Sequence, residues 1–141
     1  MPSLLANNFL EQILKKEIDF DADVFKIALV QAGFVFNRAT HATYSDISAS
    51  EVATAFGYIG GGATLAGVAV AQDDVNNAGV VTWSNASWTA GGGNITASGA
   101  IIYDNTHASK PIVGYIDFGG AQTCLDGGVA TVANPKVMLR G

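Results

Sequence analysis

Short apolar runs with a period of two, separated by turn residues, constrain the fold of this chain more than any other feature. In "DVFKIALVQ", Phe25, Ile27 and Leu29 share one face, because successive side chains of a strand point to opposite sides. Similar runs occupy residues 63–72, 80–85, 94–104, 111–119, 129–134 and 136–140. Turn-forming stretches such as "DDVNNAG" and "LDGG" separate them. The pattern predicts a mainly β protein, an antiparallel β-sandwich or jelly-roll-like domain.

The N-terminal segment has a different period and predicts one short α-helix over about residues 3–16. Leu5, Phe9 and Ile13 fall on a single stripe at helical spacing, and Ser3 is a suitable N-cap. We expect this helix to dock on the protein's own β core. The alternative is that its stripe packs on a partner subunit.

Residues 31–62 follow neither period and predict a long excursion between strands, with a short helical turn near "SASEVA". Loops of this length in a compact domain are usually functional or make contacts. The whole chain of 141 residues fits a single domain, residues 1–141, large enough to bury a core.

Composition narrows the classes of partner. Charged residues make up only 13% of the chain, about half of the usual share. Either a partner covers part of the surface, or abundant small residues raise the apolar fraction. The net charge of −5 disfavours nucleic-acid binding, which requires a basic face. No membrane span and no secretory signal pattern are seen, so we expect a soluble product made in the cytoplasm.

The sequence predicts no catalytic site, no cofactor and no metal centre. The glycine runs at 60–62 and 91–93 lack the lysine and the helix of a phosphate-binding loop, and we interpret them as bends. His41 and His107 stand in separate polar stretches and are expected at the surface. A triad of Ser45, His41 and Asp46 would lack a nucleophile elbow.

Two acidic positions also have structural interpretations. "QDDVNN" at 72–77 lacks the glycine and distal glutamate of a calcium loop, and it predicts a turn with side chains capping backbone amides. Asp117 lies within the strand "PIVGYIDFGG" without a second acid or a histidine on that strand. We expect it to pair with a cross-strand Lys, Arg or Thr, or to face a neighbouring subunit.

Several segments, taken in order along nearly the whole chain, resemble a widespread family of small virion proteins of tailed bacteriophages. The segments are "FKIALV" (25–30), "ATHATYSDIS" (39–48), "EVATAFGYIGGGATLAG" (51–67), "VAQDDVNNAGVVTWSNASW" (70–88), "AIIYDNT" (100–106) and "KPIVGYIDFGG" (110–120). The tail from Cys124 onward resembles the family only loosely. The resemblance implies a β-rich, non-enzymatic structural part of the virion, in the head or in the tail.

Small size, few charges and an acidic balance favour a capsid decoration (cement) protein on the head surface. Its expected partner is the major capsid protein, and its expected oligomer is a homotrimer, since repeated contacts multiply modest affinities. The alternative is a tail or fibre-base component. A third hypothesis is a carbohydrate-binding module in which Trp83, Trp88 and Tyr103 stack on a sugar.

Two sets of apolar residues complete the expectations. The partner interface is predicted in the helix and the excursion, at Leu5, Phe9, Phe34, Phe36, Phe56 and Tyr58. The core is predicted to bury Phe25, Ile27, Leu29, Trp83, Ile101, Ile116 and Phe118.

Overall fold

The computed structural model describes residues 3–140 and confirms the mainly β class, with 45% of residues in strands and 11% in helices. A 3₁₀ turn, Ser48–Ser50, directly follows the short helix Tyr44–Ile47. The elements in chain order are β1 (Ser3–Leu5), α1 (Asn7–Leu14), β2 (Phe25–Val30), α2 (Tyr44–Ile47), β3 (Ala63–Thr64), β4 (Ala69–Asp73), β5 (Ala78–Thr82), β6 (Ala86–Thr89), β7 (Ile95–Asp104), β8 (Ile112–Cys124), β9 (Val129–Val132) and β10 (Lys136–Arg140).

Within residues 3–140 the strands form three sheets in a sandwich-like arrangement, and every strand pair there is antiparallel. The largest sheet has five strands in the order β1-β8-β7-β2-β3. A second sheet has three strands in the order β10-β5-β4, and β6 pairs with β9 alone. None of the helices in residues 3–140 has the length and apolarity needed to cross a membrane.

The five-stranded sheet is covered on both faces. On one face, the ring of Phe25 lies 5.6 Å from that of Trp83, which directly follows β5 of the second sheet. On the other face, residues of the excursion cover the sheet: Tyr44 stacks on Tyr103 at 4.6 Å, and Phe36 stacks on Tyr115 at 5.4 Å. The excursion is therefore a layer of the fold, which explains why most of β7 and the first half of β8 are buried on both sides.

The N-terminal prediction was wrong at its start. Residues Ser3–Leu5 form an edge strand on β8, with Leu5 opposite Gly114, and the helix begins only at Asn7. A Cβ on Gly114 would lie 2.7 Å from the carbonyl oxygen of Leu4, so the glycine permits this close pairing. The helix docks on the protein's own core, as expected, through the fully buried Phe9, whose ring lies 5.8 Å from Phe20.

The core prediction is confirmed at six positions: Phe25, Ile27, Leu29, Trp83, Ile101 and Ile116 are buried. Phe118 is only half-buried. It lines an open groove of about 540 Å³ that Trp88 and Val132 also line. The residues that line this groove come from β2, β6, β7, β8 and β9, and the groove is open to solvent, so the apolar face of β8 is only partly covered there.

Asp117 has a local partner instead of a cross-strand one. Its neighbour across β7 is Gly99, which offers no side chain. Its Oδ1 accepts the backbone N–H of Gly119 at 2.8 Å, and Gly119 has a φ of +80°. The carboxylate thus caps a bend in β8, and among residues 3–140 it pairs with no cross-strand Lys, Arg or Thr. The alternative, that it faces a neighbouring subunit, stays a prediction.

Candidate functional site

The excursion is fixed to the sheet by a network centred on the buried carboxylate of Glu51, which is 8% exposed. One carboxylate oxygen accepts the hydroxyl of Tyr44, and the other accepts the hydroxyl of Tyr58 and the N–H of Gly61. The Tyr58 hydroxyl also accepts the backbone N–H of Leu29 at 3.0 Å. A buried carboxylate needs such donors, because desolvating it without them is costly.

The tyrosine hydroxyls of this network remain protonated donors. Burial, followed by the hydrogen bond to Glu51, raises the pKa of Tyr58 and of Tyr44 far above the ordinary value. Burial, followed by the charge of Glu51, raises the pKa of Tyr103 to about 12. The Tyr103 hydroxyl donates to the carbonyl of Gly61 at 2.6 Å. The network therefore holds fixed hydrogen bonds at neutral pH and serves as a clamp.

A tight turn at residues 55–58 presses the excursion against the end of β6. Ala55 and Tyr58 exchange both backbone hydrogen bonds, at 3.1 and 3.0 Å. Phe56 and Gly57, with φ of 57° and 95°, occupy the two central positions, which is the geometry of a type I′ turn. A Cβ on Gly57 would lie 2.0 Å from the carbonyl oxygen of Thr89. Only glycine fits there.

The clamped excursion carries three exposed apolar side chains. Val35 is 80% exposed, Ile59 is 70% exposed and Phe56 is 48% exposed. The ring of Phe56 rests on Gly93, where a Cβ would lie 2.5 Å from it. Contiguous exposed apolar side chains mark contact surfaces, whereas single ones are common on any protein surface. These three side chains are the candidates for contact that the excursion offers. We call Val35, Phe56 and Ile59 the exposed triplet.

The structure places the predicted interface residues in different environments. Phe9 and Tyr58 are fully buried, and Phe36 is buried against Tyr115, so these three are unavailable to a partner in this conformation. Leu5 and Phe34 are half-buried, and Phe56 is exposed. The interface prediction therefore needs correction at Phe9, Phe36 and Tyr58. The reason is that the excursion is itself a covering layer and turns part of its apolar side chains inward.

Sequence reasoning missed Val35, Ile59 and the role of Glu51. The run Phe34-Val35-Phe36 is apolar throughout, so it does not show that only its middle residue points outward. Glu51 has no sequence signal, since Tyr44 and Tyr58 are seven residues away on either side and meet it only through the path of the excursion.

Three polar residues considered in the sequence, His41, Asp46 and Asp73, have local structural partners. His41 accepts the N–H of Asn37 through Nδ1 at 2.9 Å and stacks on Phe34. Asp46 closes a capping box with Thr43 at the start of α2, and the Thr43 N–H bond lowers the pKa of this aspartate. In the turn after β4, Asp73 Oδ1 accepts the N–H groups of Val75 and Asn76, which confirms the capping interpretation.

Asp104 differs from these residues because one of its carboxyl oxygens lacks a partner in the described part of the chain. Its carboxyl group is fully buried on the face of β7 that also carries Ile102. Its Oδ1 accepts the N–H groups of Thr106 and His107, at 2.9 and 3.3 Å, while Oδ2 has no hydrogen-bond donor among residues 3–140. Burial, followed by hydrogen bonding to Asp23, raises its pKa to about 7. The Asp104 carboxyl group is therefore protonated below that pH. Among residues 3–140, no three His, Cys, Asp or Glu side chains are grouped to hold a metal ion.

The aromatic residues of the carbohydrate hypothesis are not at the surface. Trp83, Trp88 and Tyr103 are 4%, 7% and 1% exposed, so they cannot stack on a sugar. Comparisons of the chain with protein-family models, with curated proteins and with solved structures gave no match. A proposal for its function therefore rests on its own surface and contacts and on the resemblance of segments described above.

Proposed function

We propose that the protein is a structural protein of a bacteriophage virion, a capsid decoration protein that binds and stabilises the assembled head. The observation that supports this function best is the exposed triplet on an excursion that the Glu51 network already holds in place. The resemblance of the segments described above to small phage virion proteins points to the same class.

A pre-ordered apolar surface suits attachment to a shell. Ordering a long loop at the moment of binding consumes part of the interaction free energy, and an excursion fixed during folding avoids this cost. Burying a few hundred Å² of apolar surface would contribute several kcal/mol per copy, at about 25 cal/mol per Å². The proposed partner is the major capsid protein, and a homotrimer would multiply the contacts of each copy.

Attachment to undecorated phage shells tests the proposal. A double variant, Val35→Lys with Ile59→Lys, places two charges on the exposed triplet without touching the buried clamp. Leu125→Lys is the matched control, because Leu125 is 67% exposed and lies in the turn after β8. We expect the wild-type protein and the control to occupy the shells and raise their resistance to heat. The double variant should fold normally and fail to attach.

One result would contradict the decoration function, and another would contradict the assigned contact surface. One is a wild-type protein that never associates with heads and co-purifies with tails at low copy number, which would favour the tail or fibre-base alternative. The other is normal occupancy by the double variant, which would show that the exposed triplet is not the contact surface.

A further inference from the structure

The three-stranded sheet ends in an open edge at β4. The order β10-β5-β4 leaves the outer side of β4 without a partner strand among residues 3–140. Residues 69–72 are all exposed, and Val70 is 53% exposed. Such an edge presents a row of backbone N–H and C=O groups that are free to pair with another strand.

This edge lacks the devices that usually prevent strand pairing. From Ala63 to Gln72 the chain has neither a charged residue nor a proline. The pairing of β4 with β5 runs without a bulge from Ala69 to Asp73, so the strand is not twisted away. The opposite edge of the same sheet, β10, begins at Lys136 and ends at Arg140. Charged edges resist pairing and uncharged regular ones invite it.

We propose that β4 is a self-association edge, at which two copies of this chain pair their β4 strands antiparallel across a twofold axis. The two three-stranded sheets then join into one continuous sheet of six strands. The same edge of each copy then supplies hydrogen bonds to the open backbone groups of the other, as in any isologous contact. Val68, 37% exposed, and Val70 are the apolar side chains that the contact covers.

The charges at the end of the strand select the antiparallel direction. Asp73 and Asp74 follow one another where β4 ends. Antiparallel pairing places them beside the start of the partner strand, near Gly67 to Ala69, which is uncharged. Parallel pairing would place the acidic pairs of both copies side by side, and like charges at adjacent positions oppose pairing.

The contact is small and its strength in solution is limited. One pair of five-residue strands buries much less than the roughly 1,600 Å² of a standard stable interface. We therefore expect an association that depends on protein concentration. It should double the mass of the species that the protein forms when its β4 strands are unpaired. This inference does not depend on capsid binding, although copies held close together on a shell would pair more readily.

Sedimentation equilibrium over a range of concentrations tests the pairing. Val70→Lys places like charges close together across the twofold axis, and its partial exposure lets it fold, which thermal unfolding checks. Val75→Lys is the matched control, since Val75 is 91% exposed and lies in the turn beyond the strand. Wild type and control should double in mass. Val70→Lys should keep the lower mass to a concentration at least about tenfold higher.

Hydrogen exchange on the unmodified protein is the second measurement and needs no variant. Amides of residues 69–73 that are open at low concentration should become protected as the mass doubles. The proposal is overturned by a wild-type mass that stays constant with concentration. It is also overturned by a mass that grows beyond twofold, or by protection that appears elsewhere while β4 stays open.

Discussion

The hydroxyl of Tyr58 donates to Oε2 of Glu51 and accepts the backbone N–H of Leu29 at 3.0 Å, so one side chain joins the excursion to β2. The relationship matters because the carboxylate and the hydroxyl are both buried. If a substitution removes one of the two groups, the other stays buried, and water does not replace the hydrogen bond that it has lost.

The first prediction concerns Glu51→Ala. The change leaves the hydroxyls of Tyr44 and Tyr58 and the N–H of Gly61 without their acceptor, and it should lower the free energy of unfolding by about 2–4 kcal/mol. Urea unfolding measures the loss. Thr40→Ala, an exposed position in the same excursion, should change it by less than about 0.5 kcal/mol. Equal stability of the two variants would show that the network is dispensable.

The second prediction separates backbone strain from a steric clash. Gly57 and Gly33 have similar positive φ angles, 95° and 86°, but only Gly57 has a neighbouring carbonyl oxygen at 2.0 Å from its ideal Cβ. Gly33→Ala should cost about 1 kcal/mol, from strain alone. Gly57→Ala should cost clearly more, because the turn must move away from Thr89. Thermal unfolding of both variants makes the comparison, and equal losses would contradict the close packing of the turn.

The third prediction tests the division between inward and outward residues. Phe36→Ala removes a buried ring from the stack with Tyr115 and should cost about 3 kcal/mol of stability. Val35→Lys changes a neighbouring side chain that is 80% exposed, and it should leave stability within about 0.5 kcal/mol of wild type. Denaturant midpoints of the two variants measure the two changes in stability. A large loss of stability in Val35→Lys would place that residue inside the fold.

The fourth prediction is a pH dependence from Asp104. Its pKa is about 7 in the folded protein, compared with the ordinary value of 3.8 that applies to the unfolded chain. Between these two pH values the folded protein therefore binds one proton more than the unfolded chain. The stabilisation is complete below about pH 4 and is lost as the pH rises from there through 7, by about 4 kcal/mol at most.

Asp104→Asn checks this dependence, because the amide is neutral at every pH while its oxygen still accepts the N–H groups of Thr106 and His107. The variant should be more stable than wild type at pH 8 and similar at pH 4.5. His107, whose N–H group bonds Asp104, and its ion-pair partner Glu17 stay unchanged in this comparison. Parallel pH profiles for the two proteins would contradict the raised pKa of Asp104.

Local sequence patterns predicted much of the β framework. Alternation located β2, β7 and β8, since a half-buried strand must alternate, and turn residues placed most of the boundaries. Local patterns failed at Ser3–Leu5, where helical spacing was overridden by pairing with β8. An edge strand wins there because backbone hydrogen bonds with β8 replace those of one further helical turn.

The sequence by itself determined that the chain is mainly β with one short N-terminal helix and a long excursion, because these properties depend on neighbouring residues. Only the tertiary structure decided that the excursion covers the second face of the sheet. It also decided that Glu51 clamps the excursion, that Phe9, Phe36 and Tyr58 point inward, and that Val35 and Ile59 point outward. The physical reason is that each of these depends on contacts between residues far apart in sequence, and no local period encodes such contacts.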